Sequence, residues 1–186
     1  MQGKNYLNGN RSMKVFITNL GRYNEGYLVG KWVKLPVDDE TLDKVLTEIG
    51  INEQYEEYFI TDYENVTVAL GDIISEYSSV AALNKLAQRL EVLSDADADK
   101  LVAVLESESC TSVSEVIDLL DELDEFDLLP DVTDDKALGH YYAEEYCGID
   151  IPEHIFPFFD FEAYGRSIRL ESCCTYTTYG FLLDNR

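Results

Sequence analysis

At 186 residues and 21.2 kDa, with 46% hydrophobic and 12% aromatic residues, the chain is too apolar for a disordered acidic tail. It has room for one ordinary domain or two or three small ones in series. The formal net charge of −23 and pI near 4.1 argue against a basic nucleic-acid-binding surface, and no run approaches the roughly 20 apolar residues of a membrane span. No cleavable signal pattern opens the sequence. The charge is uneven. Residues 13–37 carry four bases and one acid, whereas residues 38–135 carry 28 acids against Lys44, Lys85, Arg89 and Lys100. Between Leu101 and Asp135 there is neither Lys nor Arg. Self-repulsion on this scale opposes compaction and requires a reason.

Residues 1–12 are polar and aperiodic and read as a tag or loose leader outside the fold. KVFITNL (14–20) and YLVGKWVKL (27–35) read as strands joined by a GRYNEG loop. Asp38 or Asp39 caps a helix through Leu42, Val45, Leu46 and Ile49 that Gly50 stops, and EEYFITDYE (56–64) reads as a further strand. These make an N-terminal α+β domain over 13–70. Ser78 or Ser79 caps VAALNKLAQRLEVL, and Ser94 or Asp95 caps DADKLVAVLES, giving a helical middle over 71–110. A C-terminal α+β domain over 111–186 follows. Its expected parts are a helix SVSEVIDLLDELDEF from Ser112, a stop at Pro130, and a helix over 133–148 ending at Gly148. Short turns through IPEHIFPFFDFEAYG and strands at SIRLES and TYGFLLD complete it. The fold class is thus α+β, in three small domains.

On the helix from Ser112, Val113, Val116, Ile117, Leu120 and Leu123 share one stripe while Glu115, Asp118, Glu122 and Glu125 share the opposite one. No Lys or Arg stands four residues away to relieve them, as an ordinary surface helix would provide. Together with Glu106, Glu108, Asp121 and Asp127, these carboxylates are the candidate partner-binding groups. The alternative for one such helix is a merely solvated face; the extent of the acidity favours a display. Duplex DNA carries one negative charge per about 1.7 Å, so two chains without their leaders carry the charge of about 85 Å of duplex. Such a surface attracts the basic channel of a DNA enzyme and repels DNA.

Other sites are weaker. Asp95, Asp97, Asp99 and Glu106 match the spacing of a calcium loop, but Lys100 replaces the required glycine, so a helix start is the better reading. Cys110, Cys147, Cys173 and Cys174, with His140 and His154, have no zinc or disulfide spacing. Catalytic signatures are missing, so neither an enzyme nor a cofactor is implied. The aromatic run from Tyr141 to Phe161 exceeds what a small domain needs for its core and suits self-association as well. Tyr141, Tyr142, Glu144, Glu145, Tyr146, Phe159 and Tyr164 are its candidate interface residues.

FITNLGRYNEGYLVGKWVKLP (16–36) resembles the opening of the ArdA family of antirestriction proteins, and HYYAEEYCG (140–148), Pro152 and DFEAYGRSIRL (160–170) resemble its C-terminal region. The stretch 137–152 corresponds to the family's antirestriction motif. The resemblance implies an elongated, curved arrangement of three domains, a homodimer joined through the C-terminal domain, and carboxylates imitating the phosphates of bent B-form DNA. It implies type I restriction-modification enzymes as targets, inside cells entered by conjugative elements and phages. One rival reading keeps the mimicry but directs it at a CRISPR nuclease or nucleoid protein. Another is an acidic halophilic or calcium-binding protein, against which the net-positive 13–37 counts.

Overall fold

The structure, a computed structural model, describes residues 13–64, 68–146, 148, 151–152 and 154–186, with the backbone only at Val68, Ala69 and Tyr146. The leader read into residues 1–12 lies outside the described residues. The chain divides into two compact units, residues 1–98 with 109–121 and residues 99–108 with 122–186.

In the first unit, β1 (Lys14–Asn19) is followed by α1 (Leu20–Asn24), β2 (Gly30–Lys34), α2 (Asp39–Glu48) and β3 (Tyr58–Glu64). The strands form an antiparallel sheet in the order β2-β1-β3. Alternation buries Val15, Ile17, Val33 and Ile60 and leaves Trp32 exposed on the other face. The GRYNEG segment, expected as a loop, begins instead as α1. Fully buried Asn19 explains it: its side chain accepts from Arg22 N at 2.9 Å and donates to Ile49 O at 3.1 Å, capping the turn and satisfying itself. Asp38 caps α2 by accepting from Thr41 N at 2.8 Å, and that bond holds its carboxyl below the ordinary range. Gly50, at φ +81°, ends the helix as expected.

A short α3 (Val68–Gly71) precedes α4 (Val80–Val92), which Ser79 caps. In α5 (Asp95–Ser107), Asp95 and Asp97 occupy the first turn, where the helix dipole favours acids, and Ser94 Oγ accepts from Asp97 N at 3.1 Å. The boundary between the units passes through α5 after Ala98. α6 (Val113–Asp121) packs on α4, with Val113, Val116, Ile117 and Leu120 buried as their spacing predicts. Asn84 on α4 accepts from Val37 N at 2.7 Å and donates to Val37 O at 2.8 Å, fastening the segment after β2 to that helix pair.

The helix expected over 112–126 therefore stops early. Residues Leu123–Glu125 form a 3₁₀ turn and Phe126–Leu129 form β4. In the second unit β4, β5 (Cys174–Thr177) and β6 (Gly180–Asp184) make an antiparallel sheet in the order β4-β6-β5. Burial of Phe126 and pairing with a strand some 55 residues later override the local helical pattern. α7 (Asp135–His140) continues into a π-helical turn over Tyr141–Tyr146, and a 3₁₀ turn over Phe156–Phe158 precedes α8 (Phe161–Glu171). SIRLES, expected as a strand, is the end of α8. Asp160 caps that helix through Ala163 N at 2.9 Å, and Phe161 and Gly165 are buried at helical spacing, with Ile168 packed on the core. The core of this unit is Val132, Leu138 and Phe181, with Tyr141, Tyr142, Ile168 and Tyr176 against it.

α7 and α8 meet backbone to backbone. A β-carbon on Gly165 would collide with the Asp135 carbonyl and lie 2.7 Å from Gly139 N; one on Gly139 would collide with the Phe161 carbonyl. Next to this crossing, Asp135 accepts from Arg169 Nε at 2.7 Å and Nη2 at 3.1 Å and from the Tyr176 hydroxyl at 2.9 Å, joining α7, α8 and β5. The Arg169 bonds pull the Asp135 carboxyl down to about 2, while burial and the Asp135 bond push the Tyr176 hydroxyl up.

Two stability predictions follow from this corner. Gly165→Ala is expected to cost about 2 kcal/mol or more in urea denaturation, because backbone must move, whereas exposed Lys136→Ala is expected to cost less than about 0.5. Asp135→Asn is expected to cost about 2 kcal/mol near neutrality through the loss of charged hydrogen bonds. The folded carboxyl titrates below its unfolded value of about 3.9. Its contribution is therefore fully present above about pH 4 and disappears as the pH falls toward about 2. Midpoints measured from pH 6 to pH 2 should show the gap between wild type and Asp135→Asn closing; a constant gap would contradict the assignment.

Candidate acidic interface and aromatic C-terminal segment

The candidate carboxylates are all at the surface, Glu108 half-exposed and the others exposed, but they are not equivalent. On α6, Glu115 folds back to accept from Thr111 N at 2.6 Å, and that bond lowers its carboxyl. Asp121, at the end of α6, pairs with Arg89 at 2.6 Å. The Asp118 side chain between them makes no hydrogen bond or ion pair among the described residues. The stripe drawn from Glu115 to Glu125 is broken, because α6 ends at Asp121 and places Glu122 and Glu125 outside it.

In the second unit, Glu106 accepts from Thr178 N at 2.8 Å, and Asp127 accepts from Asn185 Nδ2 at 2.9 Å. Glu108 and Glu122 both reach Arg186, the latter at 3.1 Å, and Asp184 joins them at 2.9 Å. Arg186 also lies over the Phe126 ring at 4.5 Å. The Arg186 bonds hold Asp184 below its usual range and raise the guanidinium. The side chains of Glu125 and its neighbour Asp124 are exposed and make no hydrogen bond or ion pair among the described residues. Sequence spacing identified the acids but not these cations. Arg89 and Arg186 lie 32 and 64 positions from Asp121 and Glu122 respectively, beyond any i,i+4 rule. Asp124 lies in the 3₁₀ turn beyond the end of α6.

Of the aromatic candidates, Tyr141 and Tyr142 are half-buried against the core and meet edge to face at 5.7 Å. Phe159 packs between Phe161 at 4.7 Å and Tyr164 at 5.7 Å, again half-buried. Glu144 and Glu145 are exposed. Glu144 meets His140 Nδ1 at 2.9 Å, and the His140 ring stacks on Phe161 at 3.7 Å. The Tyr146 side chain and Cys147 lie outside the described residues. The most exposed apolar groups of this unit are Phe158 at 83% and Leu170 at 73%. Leu170 was hidden by the strand reading of SIRLES.

Cys173 is exposed and Cys110 and Cys174 are half-buried, and burial pushes the Cys174 thiol up. Among the described residues no group of three His, Cys, Asp or Glu is placed to hold a metal ion, and no helix is long and apolar enough to cross a membrane. What the surface can do chemically is accept: bare carboxylates such as Asp118, Asp124 and Glu125 offer oxygens to Lys and Arg side chains of a partner.

The profile of the ArdA antirestriction proteins matches residues 15–182, and no curated protein matches the chain. The match spans both units and includes the motifs FITNLGRYNEG and DFEAYGRSIRL together with the acidic segment between them. The chain belongs to the ArdA family of antirestriction proteins.

Proposed function

We propose that this antirestriction protein acts as a mimic of B-form DNA, occupying the DNA-binding surface of a type I restriction-modification enzyme in the cytoplasm, with no catalysis and no cofactor. The observation that carries this reading is the set of bare, exposed carboxylates Asp118, Asp124 and Glu125 in a segment without Lys or Arg from Leu101 to Asp135, within a family of restriction inhibitors. A surface that only accepts hydrogen bonds and carries negative charge presents a DNA enzyme with what a phosphate backbone presents. The reading includes the three-domain arrangement of the family and a homodimer joined through the aromatic C-terminal segment, for which exposed Phe158 supplies apolar surface.

Inhibition of a type I restriction enzyme, measured at two salt concentrations, tests the carboxylates. Exposed ion pairs contribute little singly, so Asp118→Asn or Glu125→Gln alone is expected to weaken inhibition less than about fivefold. The combination of Asp118→Asn, Asp124→Asn and Glu125→Gln is expected to weaken it about tenfold. The loss should sit mainly in the association rate and shrink as salt rises. One substitution that abolishes inhibition, with the others adding nothing, would make the contact specific and end the distributed mimic. For the dimer, light scattering at micromolar concentration should give twice the chain mass for wild type and a lower mass for Phe158→Ser. A wild-type monomer removes the dimer from the reading.

A further inference from the structure

The N-terminal unit carries a second surface that the carboxylate display does not use. Phe16 and Trp32, opposite each other on β1 and β2, meet edge to face at 5.3 Å, and Tyr23 and Phe59 do the same at 5.1 Å. The two pairs line one open groove of about 640 Å³, with Asp62 and Glu76 on its walls and no Lys or Arg among its lining residues. That volume is the size of a ligand site. Trp32 is 38% and Tyr23 50% exposed, an aromatic cluster that the fold leaves uncovered in this chain and that demands an explanation. The Asp62 carboxylate spends one oxygen on Tyr63 N at 2.8 Å and makes no further hydrogen bond among the described residues. The Glu76 carbonyl, by accepting from Ile60 N at 3.1 Å, fixes the wall segment beside β3.

We propose that this groove receives an arginine side chain of the partner protein. Aromatic faces carry negative potential, and rings grouped with carboxylates select a cation with a weakly hydrated surface. A guanidinium is flat, stacks on rings and matches a carboxylate with two parallel N–H groups; an ammonium is compact and strongly hydrated. A purely apolar side chain would strip water from Asp62 and from Glu76, which already accepts from the Tyr77 hydroxyl, and give them nothing in return. A stacking platform for nucleic-acid bases also uses exposed aromatics, but it lines them with cations for the backbone, and here two carboxylates take that place. Lys14 and Lys34, one row along the same sheet face, do not line the groove, and Lys14 is paired with Glu64 at 3.4 Å. The assignment rests on the proposed function only in taking the partner to be a basic DNA-binding protein. There it adds an anchored contact to a diffuse electrostatic one.

Trp32 is the sole tryptophan of the chain, so its emission reports on the groove directly. The full-length protein is titrated at low salt with acetyl-Gly-Arg-Gly-amide and with the same peptide carrying citrulline, which keeps the shape and loses the charge. The expected result is a saturable change with the arginine peptide and at least about fivefold weaker binding of the citrulline peptide. Tyr23→Leu and Asp62→Asn should each weaken the arginine peptide at least about threefold with the circular dichroism spectrum unchanged, and Tyr23→Phe should retain it. Equal binding of citrulline, or indifference to both Tyr23→Leu and Asp62→Asn, would mean attraction to the general negative charge and would overturn the proposal. So would saturable quenching by oligothymidylate. Because no restriction enzyme enters this titration, the two readings fail separately. Peptide binding without inhibition of a type I enzyme removes the mimicry and leaves the groove; inhibition without peptide binding removes the groove alone.

Discussion

The constraint on which the rest depends is the shortage of cations. With 37 acids against 14 bases, the chain must compact against its own charge, and its arginines are placed to tie acids from separate elements together. Arg186 serves Glu108, Glu122 and Asp184 at once. Asp135 gathers Arg169 and Arg166, at 2.7 and 3.6 Å. Arg89 closes on Asp121 and donates to the Leu120 carbonyl at 3.4 Å, across the α4–α6 pair. A guanidinium has five N–H donors in a fixed fork, so one arginine can hold several acids that would otherwise separate. An exposed pair is worth only about 0–1 kcal/mol; the placement matters because it decides which acids can lie close together, not because any pair is strong.

Acid content therefore overstates the field that reaches a partner. Asp38, Asp134 and Asp160 are helix caps, Glu106 braces the β5–β6 turn through Thr178, and Glu115 closes the start of α6. These groups still carry charge, but their oxygens are already accepting. The side chains free to exchange water for a partner's Lys or Arg are a subset that includes Asp118, Asp124 and Glu125. Compaction and display draw on the same residue type, and geometry alone separates the two uses.

Much of the first unit was legible because its signals are local. The alternation of Val15 and Ile17, the cap at Asp38, the stop at Gly50 and the 3.6 spacing of Val113, Val116, Ile117 and Leu120 all act within a few residues, and each appears where its pattern places it. The misreadings are non-local. Phe126–Leu129 is a strand because Phe181–Asp184 pairs with it, and SIRLES is helical because Ile168 must reach the core and Arg169 must reach Asp135. The α1 turn depends on a buried asparagine that answers a carbonyl 30 residues away. For the interface, spacing supplied the acids, but their partners Arg89 and Arg186 come from elsewhere in the chain, so no local rule separates bare carboxylates from engaged ones.

Several of the residues that make the family recognisable serve the scaffold and not the carboxylate display. Asn19 of the NLG motif is a buried cap. Gly30 of GKW lets the Phe16 ring lie against the strand, since a β-carbon there would come 2.5 Å from the ring's Cε1 and 2.7 Å from the Ile17 carbonyl. In DFEAYGRSIRL, Asp160 caps α8, Gly165 permits its crossing with α7, and Arg169 clamps Asp135. Each of these positions has a single chemical solution, fixed by packing or by a hydrogen bond. A carboxylate display has many solutions, because attraction to a cationic channel depends on the number and spread of charges more than on any one position. The scaffold is thus written as motifs, and the display as composition. In such a protein the recognisable residues identify the fold, and under the proposed mimicry the acids between them would act by number and spread.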